Sequence, residues 1–177
     1  MKFTLSHSGQ TGIQTTTVYP NMVTITDKAI LQNVAQFDHV AGLFVQNTRS
    51  NANFIKSDVL VMDIDNDHTE NPDEWLTEEF LKDVFADYNF ALVTSRSHLK
   101  AKGGKAPRPK FHIYFQIEEV ADKDIYVAMK EELCNQYKFF DDNAKDAARF
   151  FFGNPQAEVV WHDSWLTIDE DLFQAVS

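Results

Sequence analysis

The chain has 177 residues, 44% of them hydrophobic and 24% charged, with a formal net charge of −11 and one cysteine. That length allows one domain with a proper core, or two small lobes, and the composition excludes extended disorder. A single cysteine, Cys134, excludes an internal disulfide framework and a cysteine-rich zinc site; no apolar run approaches the roughly 20 residues of a membrane span and Met1-Lys2-Phe3-Thr4 opens no signal-peptide core, so the expectation is a soluble protein of the cytoplasm.

Lys2 to Ser6 and Ile13 to Ile25 are rich in Thr and Val and are broken at Pro20-Asn21, which predicts short strands joined by turns. Thr26-Asp27 reads as the N-cap of a helix carrying Ile30, Leu31, Val34 and Phe37 on one side and ending near Asp38. Val40 to Val45 is a short apolar strand with Gly42 inside it. The polar loop Asn47 to Asn53 follows, and its Arg49 is a candidate contact for phosphate or template beside the plainer reading of a solvated arginine.

Val59-Leu60-Val61-Met62-Asp63-Ile64-Asp65-Asn66-Asp67 organises the rest. Four apolar residues running into alternating acids describe a strand buried on both faces that leaves its sheet at Asp63. Strand alternation sends the Asp63 and Asp65 carboxylates to one face and Ile64 to the other. Two like charges at that spacing repel, and a divalent cation relieves them; such hard oxygen donors suit Mg²⁺ or Mn²⁺. The competing reading is a strand end whose acids lie in water.

Asn71-Pro72 predicts a helix start, with Trp75, Leu76, Phe80, Leu81, Val84 and Phe85 as its apolar, core-forming stripe. Phe90 to Thr94 and Phe111 to Phe115 read as the two strands of a hairpin, with His112 and Tyr114 on one face and Phe111, Ile113 and Phe115 on the other. The connecting segment holds Arg96, Lys100, Lys102, Lys105, Arg108 and Lys110 with no acid between Arg96 and His112, a positive patch on an acidic chain. Patches of this kind hold phosphates. Asp122 to Tyr137 is an amphipathic helix, Asp141-Asp142-Asn143 caps a further helix through Phe152 in which Asp146 and Arg149 pair on the surface, Glu158 to Trp161 is a last strand, and an acidic tail runs to Ser177.

Taken in order, Val-Met-Asp-Ile-Asp-Asn, Thr-Ser-Arg-Ser-His, Pro-Arg-Pro-Lys-Phe-His-Ile-Tyr-Phe and Asp-Asp-Asn-Ala-Lys-Asp-Ala-Ala-Arg-Phe-Phe-Phe-Gly resemble the archaeo-eukaryotic primase superfamily, above all the primase-polymerase domains of phage, plasmid and integrated-element replication proteins. The resemblance spans about residues 40 to 155. It implies an α+β fold in which an antiparallel sheet like that of RNA-recognition motifs forms the catalytic core beside a smaller N-terminal α/β unit, within a single catalytic domain over 1–177. Residues 1–40 would give part of the α/β unit, 40–155 the motif-bearing core, and 156–177 a terminal strand and tail.

The resemblance further implies divalent-metal nucleotidyl transfer from NTPs or dNTPs on a single-stranded DNA template during replication of a mobile element. Asp63, Asp65 and Asp141 would hold two Mg²⁺ or Mn²⁺ ions, with Asp142 and Asp146 as alternatives to Asp141, and His112 would meet the triphosphate with Arg96, His98, Arg108 and Lys110. Lys100, Lys102, Lys105 and Arg49 would touch template. A helicase, or a C-terminal domain of the same replication protein, is the implied partner. The alternatives are a metal-dependent nuclease on the same carboxylates and a non-catalytic single-strand-binding module that uses Phe111, Tyr114 and the basic loop as a stacking platform. A rolling-circle initiator lacks its second histidine here, since Tyr114 follows His112-Ile113, and a sugar-nucleotide transferase leaves the basic segment unexplained.

Overall fold

The computed structural model describes residues 1–172; the end of the acidic tail, 173–177, lies outside the described residues. In chain order the elements are β1 (Phe3–His7), β2 (Asn21–Ile25), α1 (Lys28–Val34), β3 (His39–Val40), β4 (Leu43–Phe44), β5 (Phe54–Ile64), α2 (Glu78–Val84), β6 (Phe90–Thr94), β7 (Phe111–Val120), α3 (Lys123–Gln136), β8 (Phe150–Phe151), β9 (Val159–His162) and α4 (Ile168–Leu172). They build two antiparallel sheets, one ordered β2-β1-β3-β8 and the other β4-β5-β7-β6-β9. No helix among the described residues is long and apolar enough to cross a membrane.

The apolar run before Asp63 has the composition of a doubly covered strand, and β5 is one. Leu60, Met62 and Ile64 join Ile113, Phe115, Phe85, Leu133 and Cys134 in a core under α2, α3 and α4. Val59 and Val61 turn the other way and meet Phe3, Leu5, Leu31, Ala91, Val93 and Tyr114, so the opposite face is covered by the four-stranded sheet and α1. Each such buried side chain contributes about 1.5–3 kcal/mol, which fixes the register of β5 firmly. That register sets Asp63 opposite His112 on β7, with Val93 of β6 on its far side.

Several local expectations give way to long-range contacts. Only Asn21–Ile25 of the expected strand from Ile13 is extended, because Asp38 ties the preceding loop down through the backbone N–H groups of Gly12 and Ile13. Val40 to Val45 divides between the two sheets, β3 in one and β4 in the other. The helix expected from Asn71-Pro72 begins only at Glu78, capped by Thr77; Asn71 caps a 3-10 turn over Pro72–Glu74 instead, which leaves Trp75 and Leu76 ahead of the helix, and Phe80 stays exposed rather than joining the core.

No helix forms from Asp141 to Phe152 either. The Asp141 amide donates to the Asp63 carbonyl (3.0 Å) and the Asp141 carboxylate accepts from Asn143 N, which closes a turn. The chain then runs as turns into β8.

Candidate functional site

β5 ends where it must deliver two acids, and the turn beyond it is built by Asn66. Its φ of 53° lies in the left-handed region that asparagine tolerates, and its buried amide donates to Leu76 O and Pro109 O and accepts from Leu76 N. Asp63, Asp65 and Asp67 therefore line one cleft of about 390 Å³ between the sheets. Facing them are Ser95, Arg96 and Ser97 from the end of β6, Lys102, Gly103 and Lys105 from the basic loop, Lys110 and His112 of the β7 segment, and Arg149 with the three phenylalanines after it. Gly103 and Gly104 both have positive φ, which forms the tight turn that brings Lys102 and Lys105 together at the rim.

Asp63 is 5% exposed, and both its carboxylate oxygens are held by bases: Oδ1 lies 3.0 Å from His112 Nε2, and Oδ2 accepts from Arg149 Nη2 at 3.2 Å. Burial alone would raise its pKa. The His112 ring, the Arg149 guanidinium and the Lys130 ammonium outweigh that, so Asp63 titrates below the usual aspartate range. Asp65 moves the other way, raised by burial and by the neighbouring Asp63 carboxylate, with Asp141 and Asp67 adding to the rise and Lys110 opposing it. Two carboxylates of unequal acidity share a wall with a surplus of cations across from it.

Behind this wall a buried histidine and a tyrosine satisfy each other. His39 is buried, its Nδ1 donating to Phe37 O (2.8 Å) and its Nε2 accepting from the Tyr114 hydroxyl (2.6 Å); burial lowers its pKa to about 4, so the ring is neutral. Burial raises the Tyr114 hydroxyl well above the usual tyrosine range. Phe151 packs edge-on against His112 at 5.0 Å and tilts against His39, so β8 fixes His112 through an aromatic contact. Lys130 of α3 is 2% exposed, and burial lowers its pKa to about 8 against the pull of Asp63 and Asp146.

The structure gathers Asp63, Asp65, His112, Lys110, Arg96, Lys102 and Lys105 on this cleft and leaves the other sequence candidates outside it. Arg108 is fully buried: it stacks on Trp75, donates to Asn66 O and Thr69 O, and pairs with Glu70 at 2.7 Å, so its charge serves the turn after β5 rather than a phosphate. His98 accepts from Lys110 N and lies against Phe111, bracing the start of β7. Arg49 donates to Ala148 O and covers Phe150, while Lys100 borders a neighbouring groove.

Of the candidates for a third carboxylate ligand, Asp141 abuts β5 through its backbone, Asp142 pairs with Lys145 in solvent, and Asp146 is exposed. Asp146 does not pair with Arg149; the expected helix is absent and the arginine reaches Asp63 instead. Phe111 and Tyr114 are buried and offer no stacking platform.

Arg149 is the residue that sequence reasoning missed as a cleft residue, and its available signal was its place between buried alanines and three phenylalanines.

A divalent cation fits the Asp63–Asp65 pair by donor chemistry: the oxygens are hard, and Asp65 is already destabilised as an anion by its neighbour. Among the described residues no group of three or more His, Cys, Asp or Glu side chains is placed to hold an ion alone. The pair suits the Mg²⁺ habit of binding through one or two carboxylates and completing its shell with water and substrate phosphates.

No family model matches the chain, and no curated protein matches it in sequence. Among solved structures, the AEP domain of the cyanophage S-2L primase-polymerase (PrimPol) is similar over 99% of this chain and 89% of that chain, with a TM-score of 0.52 and 12% sequence identity. The chain has the archaeo-eukaryotic primase fold. The cleft is lined from the five-stranded sheet by the ends of β5, β6 and β7 and from the four-stranded sheet by β8.

Proposed function

We propose that this chain is the catalytic domain of a DNA primase-polymerase, joining nucleotides from NTPs or dNTPs on a single-stranded DNA template with release of pyrophosphate. The observation that carries the reading is the cleft itself: the Asp63 and Asp65 carboxylates on one wall and Arg96, Lys102, Lys105, Lys110 and Arg149 around them. The fold it shares with a primase-polymerase domain supports it.

Asp63 and Asp65 would hold a Mg²⁺ or Mn²⁺ ion, which would supply Lewis-acid stabilisation of an in-line displacement at phosphorus. In that displacement a 3′-hydroxyl oxygen would lose its proton to water and bond to the α-phosphorus as the bond to the pyrophosphate oxygen breaks. Lys110, Arg96 and the Lys102–Lys105 rim hold the triphosphate and balance the charge that gathers on the departing pyrophosphate. His112 is fixed between Asp63 and Phe151 on the same cleft, where it would meet those phosphates. Arg149, which holds Asp63 Oδ2 at 3.2 Å, would yield that oxygen to the cation and turn its partly exposed guanidinium to the phosphates.

The test is incorporation of labelled NTPs or dNTPs on a single-stranded template, with and without a primer, in Mg²⁺ or Mn²⁺, beside Asp65→Ala. Template-dependent product that disappears in the variant is the expected result. Degradation of the strand without any need for triphosphates would transfer the same carboxylates to a nuclease.

A further inference from the structure

The cleft carries an aromatic feature that phosphate chemistry does not use. The alternation of β8 continues past its end, so Phe151 enters the core while Phe150 and Phe152 line the cleft, both partly buried, their ring centroids 4.8 Å apart at 74°. Phe152 belongs to none of the hydrophobic clusters, and it contributes nothing to the core. Its ring is covered by Arg96, whose guanidinium carbon lies 3.5 Å from the ring centroid. Arg49 covers Phe150 in the same way at 4.7 Å. Among the described residues neither arginine has a carboxylate partner. Arg96 also forms the border of a second groove of about 350 Å³ that holds Thr11, Gly12, Lys100, Asn154 and Gln156 and no acid. The Arg96–Phe152 stack is thus a ridge with the carboxylate cleft on one side and a basic, polar trough on the other.

We propose that this ridge is a stacking step for a base of single-stranded nucleic acid, and that the trough beyond it carries the strand's phosphodiester backbone past Arg96 and Lys100. A π-face paired with an arginine accepts any base, and a basic groove without acids tracks a backbone; together they form the apparatus of sequence-tolerant single-strand binding. The inference rests on the proposed function for the identity of the strand as template, but strand binding is measurable whether or not synthesis occurs. It also assigns Phe152, which stands outside the hydrophobic clusters, a task that packing leaves open.

The experiment is anisotropy of a labelled oligo-dT titrated with the full chain at several salt concentrations, beside Phe152→Leu, Phe152→Trp and Lys100→Ala, with a fluorescent dNTP titrated in parallel. Phe152→Leu keeps apolar bulk and removes the π-face, so strand affinity is expected to fall about tenfold, while Phe152→Trp restores it. Lys100→Ala is expected to reduce the salt dependence of strand binding by about one counterion. Unchanged strand affinity in Phe152→Leu overturns the proposal, as does a loss confined to the free dNTP, which would make Phe152 a nucleotide contact. A chain that synthesises DNA with unaltered strand binding in Phe152→Leu refutes the ridge and leaves the proposed function standing; a chain that makes no product yet loses strand binding in that variant does the reverse.

Discussion

Two buried aspartates, Asp38 and Asp63, receive opposite kinds of partner. Asp38 is fully buried and accepts from backbone N–H groups alone: Gly12 at 2.9 Å, Ile13 at 2.8 Å and Gly153 at 2.7 Å. Asp63 is nearly as buried, but it is held by the side chains of His112 and Arg149, and the arginine side chain is 39% exposed. Backbone donors cannot leave without unfolding a loop. Side-chain bases can move aside and be exchanged for another cation. Burial of a carboxylate therefore does not separate structure from function here; the mobility of whatever satisfies it does.

The largest expected effect on stability falls on the backbone-held acid. Asp38→Ala leaves the buried Gly153 N–H and the part-buried Gly12 and Ile13 N–H groups without an acceptor and frees the loop before β2 from the end of β8, with a loss of about 3 kcal/mol in urea unfolding. A loss below about 1 kcal/mol would erase the distinction between the two acids.

His39 extends the comparison to a buried base. Its pKa is lowered from 6.5 to about 4 in the folded chain. A group depressed by folding contributes stability that is present above pH 6.5 and lost as pH falls through about 4, because the unfolded state binds the proton first. The expected loss over that window is about 3 kcal/mol, read from unfolding midpoints, and His39→Gln is expected to flatten it.

The smallest effect sharpens the claim of exchange at Asp63. Arg149→Ala removes the occupant of Oδ2, so Mn²⁺ binding without nucleotide, followed by the loss of the free-ion paramagnetic resonance signal, is expected to tighten by roughly fivefold, about 1 kcal/mol. Weaker binding in that variant would mean that the arginine supports the cation seat rather than competing for it.

Much of the sheet was legible because its signals are local. The double burial of β5, the hairpin of β6 and β7, the placement of His112 and Tyr114 on one face, and the cap at Asp27 all follow from alternation or spacing within a few residues. Asp63 and Asp65 on one wall follow from the same period. What was missed depends on contacts that spacing does not carry. The Asp141 segment has the charges of a capped helix, yet its amide is claimed by Asp63 O. Arg108 sits in a basic run and reads as a phosphate ligand, yet Glu70 and Trp75 bury it. Arg149 was read through a helical neighbour, Asp146, when its partner is Asp63 on a distant strand. In each case a long-range partner outweighs the local pattern.

The central claim, that Asp63 is a chemical rather than a structural acid, is tested most directly by Asp63→Asn and Asp38→Asn compared in one template-directed incorporation assay, each at a temperature where circular dichroism shows it folded. Asp63→Asn is expected to keep the unfolding midpoint within a few degrees of the parent and to lose at least about a hundredfold in incorporation, roughly 3 kcal/mol. Asp38→Asn is expected to lose stability and, while folded, to retain incorporation. Full incorporation by folded Asp63→Asn would contradict the assignment of this cleft to nucleotidyl transfer.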